Sequence, residues 1–151
     1  MKLKTAAFDN HARTIHLQYV DGRAVQIRYS RLGIKESIEE IWIDKETHGQ
    51  SLGIRFQGGR KDYMPADQGL ALANDHQYLL ETHIERLIAI IKETLKKQGV
   101  SKRYLAEQLG TSDNQVHRLL NPAILNKNLY QLYKIFSLLG LTPKWTVRKT
   151  A

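Results

Sequence analysis

The sequence predicts an α+β fold, with a small antiparallel β-rich domain over residues 1–73 followed by an all-α domain over residues 74–151. Two observations about period predict it. Up to Met64 the apolar residues recur at every second position, as on a half-buried strand. Beyond Asp75 they recur at spacings of three and four, as on an amphipathic helix. Charge divides the chain in a similar way. Residues 1–95 carry 13 Lys/Arg and 13 Asp/Glu, whereas residues 96–151 carry 10 basic residues against 2 acidic ones, Glu107 and Asp113. The whole net charge of +8 therefore lies in the last third, which points to a polyanion as that segment's partner.

Met1-Lys2-Leu3-Lys4-Thr5 runs into strand-like sequence, not into the apolar core and small-residue cleavage site of a leader. Ile15, Leu17 and Tyr19 then alternate with His16, Gln18 and Val20. Val25, Ile27 and Tyr29 repeat the alternation after Asp21-Gly22, a dipeptide suited to a two-residue type I′ turn. A hairpin is expected over roughly 13–20 and 23–30. Ile38, Ile41, Trp42 and Ile43 form either a strand or a short helix running into one, and Leu52, Ile54 and Phe56 alternate once more before Gly58-Gly59 turns the chain. No internal repeat stands out. The stretch Pro65 to Asp75 reads as a boundary, with Pro65, Gly69 and Asn74-Asp75 as breakers.

Leu80, Ile84, Leu87, Ile88, Ile91 and Leu95 then fall on one stripe of a long helix, capped by Asn74 or Asp75 and ended by Gly99. Ser101 with Tyr104 to Leu109 reads as a short capped helix, and Gly110 permits a tight turn. Thr111 or Ser112 caps the next helix, which Asn121-Pro122 stops. Leu105, Ala106, Leu109, Val116 and Leu119 are the expected inner residues of this pair. Leu129, Leu132, Tyr133, Phe136 and Leu139 make a final stripe, ending at Gly140. The tail Pro143 to Lys149 alternates like a strand and exposes a Trp. It either pairs across a dimer or folds back on its own domain.

Leu105-Ala106, the Leu109-Gly110-Thr111-Ser112 turn and Val116 with Arg118-Leu119-Leu120-Asn121 stand in register. In these residues the segment 78–141 resembles the λ-repressor-like, Cro/C1-type helix-turn-helix family. Val116 to Pro122 also looks like the DNA-binding module of some antitoxins. The resemblance implies a homodimer on palindromic double-stranded DNA, with the second helix of the pair in the major groove. Its base-reading residues would be Asp113, Asn114, Gln115, His117 and Arg118. Asn and Gln suit adenine and Arg suits guanine. Asp113 either accepts from cytosine N4 or interacts with its own helix N-terminus. Lys102, Arg103, Ser112, Asn121, Lys127 and Asn128 occupy positions that in the family run along the phosphates. Residues 5–70 more weakly resemble a small bacterial β-rich domain found alone or ahead of such modules, through the Asp21-Gly22 hairpin and Leu52 to Pro65, with Phe56 where that family has Trp.

Chemistry of other kinds finds little support. His11, His16, His48, His76 and His83 lack metal-ligand spacing, Glu39-Glu40 and Asp44 read as solvent-facing charges, and Gly58-Gly59 reads as a turn and not as a phosphate loop. No enzyme activity, metal or cofactor is expected. Without cysteine or an apolar run of about 18 residues, the expectation is a cytoplasmic protein with no membrane segment. Two functions fit: a transcriptional regulator that represses from an operator, or an antitoxin whose residues 1–73 bind a toxin while the helix-turn-helix autoregulates. RNA binding fits less well, because it favours aromatic residues on a basic sheet.

Overall fold

Alternation in residues 1–65 is resolved into six strands. In the computed structural model, which describes residues 1–149, β1(Leu3–Asp9), β2(Thr14–Tyr19) and β3(Ala24–Arg28) form one antiparallel sheet in the order β1-β2-β3. β4(Ile38–Ile43), β5(Ser51–Phe56) and β6(Lys61–Pro65) form a second in the order β4-β5-β6. Five helices follow: α1(Ala66–Leu72), α2(His76–Gln98), α3(Lys102–Leu109), α4(Asp113–Leu119) and α5(Leu129–Leu138). The fold is thus mixed, with the strands in the N-terminal half and the helices after them. No helix among the described residues is long and apolar enough to cross a membrane. The chain divides into two compact units between Leu79 and Leu80.

Register explains the first unit's core. Ile15 faces Ile27 and Leu17 faces Val25 across β2 and β3, so Ile15, Leu17, Tyr19 and Ile27 are buried on one side while His16 and Gln18 face solvent. Leu52, Ile54 and Phe56 of β5 and Met64 of β6 complete the same apolar cluster. Asn10 ties the two sheets together. Its carboxamide accepts from Ile38 N (2.9 Å) and from the Tyr29 hydroxyl (3.0 Å), and donates to Ile38 O (2.8 Å).

The Asp21-Gly22 hairpin forms, but not with the expected two-residue type I′ turn. Such a turn needs positive φ at both central residues, and of the two only Gly22 has it (φ 91°). Tyr19 N donates to Arg23 O (2.8 Å) and Gly22 N to Tyr19 O (3.1 Å), which closes a three-residue loop with one left-handed glycine. Asp21 instead accepts from Arg23 N (3.1 Å) and pairs with the Arg23 guanidinium (2.7 Å). The β5–β6 connection repeats this design, with Phe56 N donating to Arg60 O, Gly59 N to Phe56 O, and Gly59 at φ 81°. Two three-stranded meanders with the same loop thus follow one another, a likeness the sequence conceals because only the Gly-Arg pairs and the preceding aromatic residues are shared.

The stretch read as a boundary contains α1. Pro65 stands at its N-cap, and Gly69 is a helix residue because space demands it. A Cβ at Gly69 would lie 2.5 Å from the Tyr19 hydroxyl and 2.7 Å from Leu17 Cδ1. The Tyr19 hydroxyl is buried here and donates to Ala66 O (2.7 Å), and that burial raises the phenol's pKa. Asp75, not Asn74, caps α2, accepting from Tyr78 N (2.8 Å), while Asn74 takes a left-handed backbone (φ 57°).

Along α2, Ile84, Ile88, Ile91 and Leu95 are buried, but Leu80 of the expected stripe is exposed. Gly99 ends the helix with a left-handed φ of 65°, as Gly140 (φ 69°) follows α5. In α5 the buried residues are Leu132, Ile135 and Phe136, with Leu139 just beyond; Leu129 and Tyr133, placed on the inner stripe by spacing, face out. Leu129 opens the first turn, and Tyr133 uses its hydroxyl to accept from the Trp145 indole. The tail is not a strand. Residues 141–149 carry no regular structure, and Trp145 folds back onto its own unit, its ring centroid 4.6 Å from that of His83.

Gly69→Ala tests the α1 packing. The helix-propensity gain of up to about 1 kcal/mol is outweighed by an overpacking cost of about 1–3 kcal/mol, so urea unfolding should show a lower midpoint at unchanged slope. Adding Tyr19→Phe should shrink that penalty, because the nearest obstructing atom is then gone.

Candidate functional site

The candidate site is built on two short helices and the turn between them. α3 begins where the Ser101 hydroxyl accepts from Tyr104 N (3.1 Å). It ends at Gly110 in a left-handed conformation (φ 63°, ψ 40°), with Thr111 N donating to Ala106 O (2.9 Å). Two residues later the Ser112 hydroxyl accepts from Gln115 N (3.3 Å) and opens α4. Each capping residue thus stands at the position its type favours, and the chain reverses in three residues, Gly110 to Ser112.

Leu105, Ala106, Leu109, Val116 and Leu119 are all buried in one cluster with Leu120 and residues of α2 and α5. Ala106 leaves room for close approach of the helices, and Val116 has no exposed surface. The other side of α4 is entirely polar. Asp113, Asn114, Gln115, His117 and Arg118 are all exposed. Asn114 and Arg118 stand four residues apart, as do Asp113 and His117, so the outer face carries two adjacent rows. Asp113 lies in the first turn, where a carboxylate complements the helix dipole, and His117 and Arg118 lie in the last.

The residues expected along phosphates divide by what their side chains already do. Lys102 joins the outer face of α4, its Nζ 3.4 Å from His117 Nδ1. Arg103 makes an exposed pair with Glu107 (3.5 Å), an interaction easily exchanged for another partner. Ser112 and Asn128 serve as N-caps, Asn128 accepting from Gln131 N (3.1 Å). Asn121 accepts from Ala123 N (3.0 Å) and shapes the turn after α4. Lys127 is only half exposed, and its ammonium donates to Arg118 O (3.0 Å) and Asn121 O (2.5 Å) at the carboxyl end of α4. Burial, and then repulsion by Lys92, hold its pKa below the ordinary lysine value.

A small groove of about 130 Å³ lies beside α4, lined by Gln115, Arg118, Lys127 and Gln131 among its polar residues and by the apolar Leu119 and Ile124. Ile124, Asn126 and Gln131 are lining residues that sequence reasoning omitted, and of these Gln131 carried a signal. Its position three residues after the Asn128 cap was the available signal. Among the described residues no group of three or more His, Cys, Asp or Glu could hold a metal ion.

No family model, curated protein or solved structure matches this chain. An exposed polar helix face held on a buried apolar one, in the most basic part of the chain, can present hydrogen-bond donors and acceptors to a rigid anionic surface.

The Lys127 geometry makes a prediction of its own. Lys127→Met removes two charge-assisted hydrogen bonds to the end of α4 and should cost about 1 kcal/mol of stability. Hydrogen exchange should show the last-turn amides of α4 opening faster than those of α3.

Proposed function

We propose that this protein is a sequence-specific double-stranded DNA-binding transcriptional regulator, a repressor acting as a homodimer on a palindromic operator. In this reading residues 80–149 form a helical DNA-binding module in which α3 and α4 are a helix-turn-helix. α4 lies in the major groove, Asn114, Gln115 and Arg118 meet base edges, and His117 supplements them. Lys102 and Arg103 neutralise phosphates, and Asp113 serves the N-terminus of its own helix. The observation that carries the reading is the two-sided character of α4: Val116 and Leu119 fully committed to the core, and every residue from Asp113 to Arg118 on the other side polar and exposed. The concentration of the chain's excess positive charge in residues 96–151 supports it.

A second reading, an antitoxin that binds a toxin through residues 1–73, draws on one feature of the first unit. Trp42 and Tyr63 meet edge to face on β4 and β6 (5.9 Å between centroids), and Tyr63 is 57% exposed. Aromatic side chains displayed in this way are typical of protein contacts. Both readings assign DNA binding to α4.

The test is selection of a preferred duplex from random sequence, followed by affinity measurements at several salt concentrations. Arg118→Ala and Asn114→Ala should each lose about 1–3 kcal/mol on the selected duplex and discriminate less well at one position. Lys102→Ala should weaken all duplexes alike and reduce the salt slope by about one. Lys127→Met should leave the salt slope unchanged, since its ammonium is engaged with carbonyls. A chain that selects no sequence, with Arg118→Ala indistinguishable from the parent, would overturn the reading.

A further inference from the structure

We propose that the second unit carries a binding site for a small flat organic anion, an aromatic carboxylate of metabolite size, beneath the C-terminal tail. The inference is independent of DNA binding. Residues 141–146, with parts of α2 and α5, line a half-open cleft of about 530 Å³, within the range of roughly 300–1,000 Å³ that accommodates small molecules. Its floor is apolar, built from Leu87, Ile90 and Phe136. Its charged groups are Arg86 and Lys144, and no Asp or Glu lines it. An apolar cavity whose only charges are cationic selects an anion with an apolar body.

Two further observations narrow the ligand. The imidazole Nε2 of His83 is buried without a hydrogen-bond partner among the described residues, although it lies in this wall. Buried polar atoms are nearly always satisfied, so an orphan on a residue that lines this cleft, covered only by Trp145, marks a place where a partner belongs. The Trp145 indole covers that ring, tilted 38° from it at 4.6 Å, and its Nε1–H reaches the Tyr133 hydroxyl. A flat ring entering beside Trp145 extends this stack over the apolar floor. Its carboxylate then accepts from the Arg86 guanidinium and the Lys144 ammonium, and a small slide of Trp145 along the stack uncovers His83 Nε2 as a third polar partner. Trp145 is held by one ring contact and one hydrogen bond in a segment without regular structure, so it can shift without disturbing the helices.

Titration of the full ¹⁵N-labelled chain with phenylacetate and indole-3-acetate tests the site, read at the Trp145 indole N–H resonance. That resonance is assigned by its absence in Trp145→Phe. A saturable shift is expected with both carboxylates, and at the same concentrations none with neutral phenylacetamide or with acetate, which lacks the ring. Arg86→Gln combined with Lys144→Gln, both surface changes, should weaken binding at least tenfold while leaving the remaining spectrum in place. Several results would overturn the proposal: no saturable shift with either carboxylate, an equal response to phenylacetamide or acetate, or undiminished binding by the double variant.

Discussion

A helix of seven residues has no stability of its own in water, because nucleation costs more than one turn of hydrogen bonds returns. α4 is such a helix, and everything that its outer face can do depends on the burial of its inner one. Val116 and Leu119, with Leu120 at the C-cap, join Leu105, Ala106 and Leu109 of α3 in the core that α2 and α5 close. Burying one Val or Leu is worth roughly 1.5–3 kcal/mol, and it is this burial, not helix propensity, that holds so short a helix in place. The caps add direction to that energy. Ser101, Gly110, Ser112 and Lys127 fix where α3 and α4 begin and end, which leaves little freedom in where Asn114, Gln115 and Arg118 stand.

The first unit solves the same problem with polar pins. Two small sheets share one apolar cluster, and specific polar contacts fix the elements around it. Asn10 satisfies both backbone groups of Ile38 together with the Tyr29 hydroxyl, and the Tyr19 hydroxyl reaches the first carbonyl of α1 over the bare surface of Gly69. Trp42 lies over Gly53 on the outer face, where a Cβ on Gly53 would fall 2.1 Å from the indole. Glycine here is a receptacle for an aromatic ring, and the T-shaped contact with Tyr63 holds that ring from the other side.

Much of this was legible in sequence, for identifiable reasons. Period alone located β2, β3, β5 and α2, because alternation and helical stripes record which side of an element is buried. Capping chemistry located α3 and α4 to within a residue, since Ser101, Gly110 and Ser112 each satisfy backbone groups in a way few residues can. What escaped depended on contacts distant along the chain. α1 was hidden by Pro65 and Gly69, which both signal a break locally; Pro65 stands at the N-cap, and Gly69 is explained only by Tyr19 and Leu17 about 50 positions earlier. The three-residue loop at Asp21-Gly22 was hidden because Asp-Gly serves two turn types, and the β2–β3 register, with Tyr19 N bonded to Arg23 O, is what distinguishes them. In the candidate site, residue type suggested a phosphate contact for Lys127, whereas the neighbouring carbonyls of α4 claim its ammonium. Tyr133 was misplaced for a related reason: its spacing fits the core, but its hydroxyl has a partner in Trp145 outside it.

On the proposed reading, α4 presents one polar face to DNA. Chemical-shift mapping of the ¹⁵N-labelled chain with a selected duplex tests it most directly, because it reports on every backbone amide at once. The largest perturbations are then expected on residues 113–118 and on the start of α3 near Lys102, with the strands of the first unit little affected. Perturbations concentrated on β4 and β6 around Trp42 and Tyr63, with α4 silent, would contradict it and move the nucleic-acid or partner contact to the sheets.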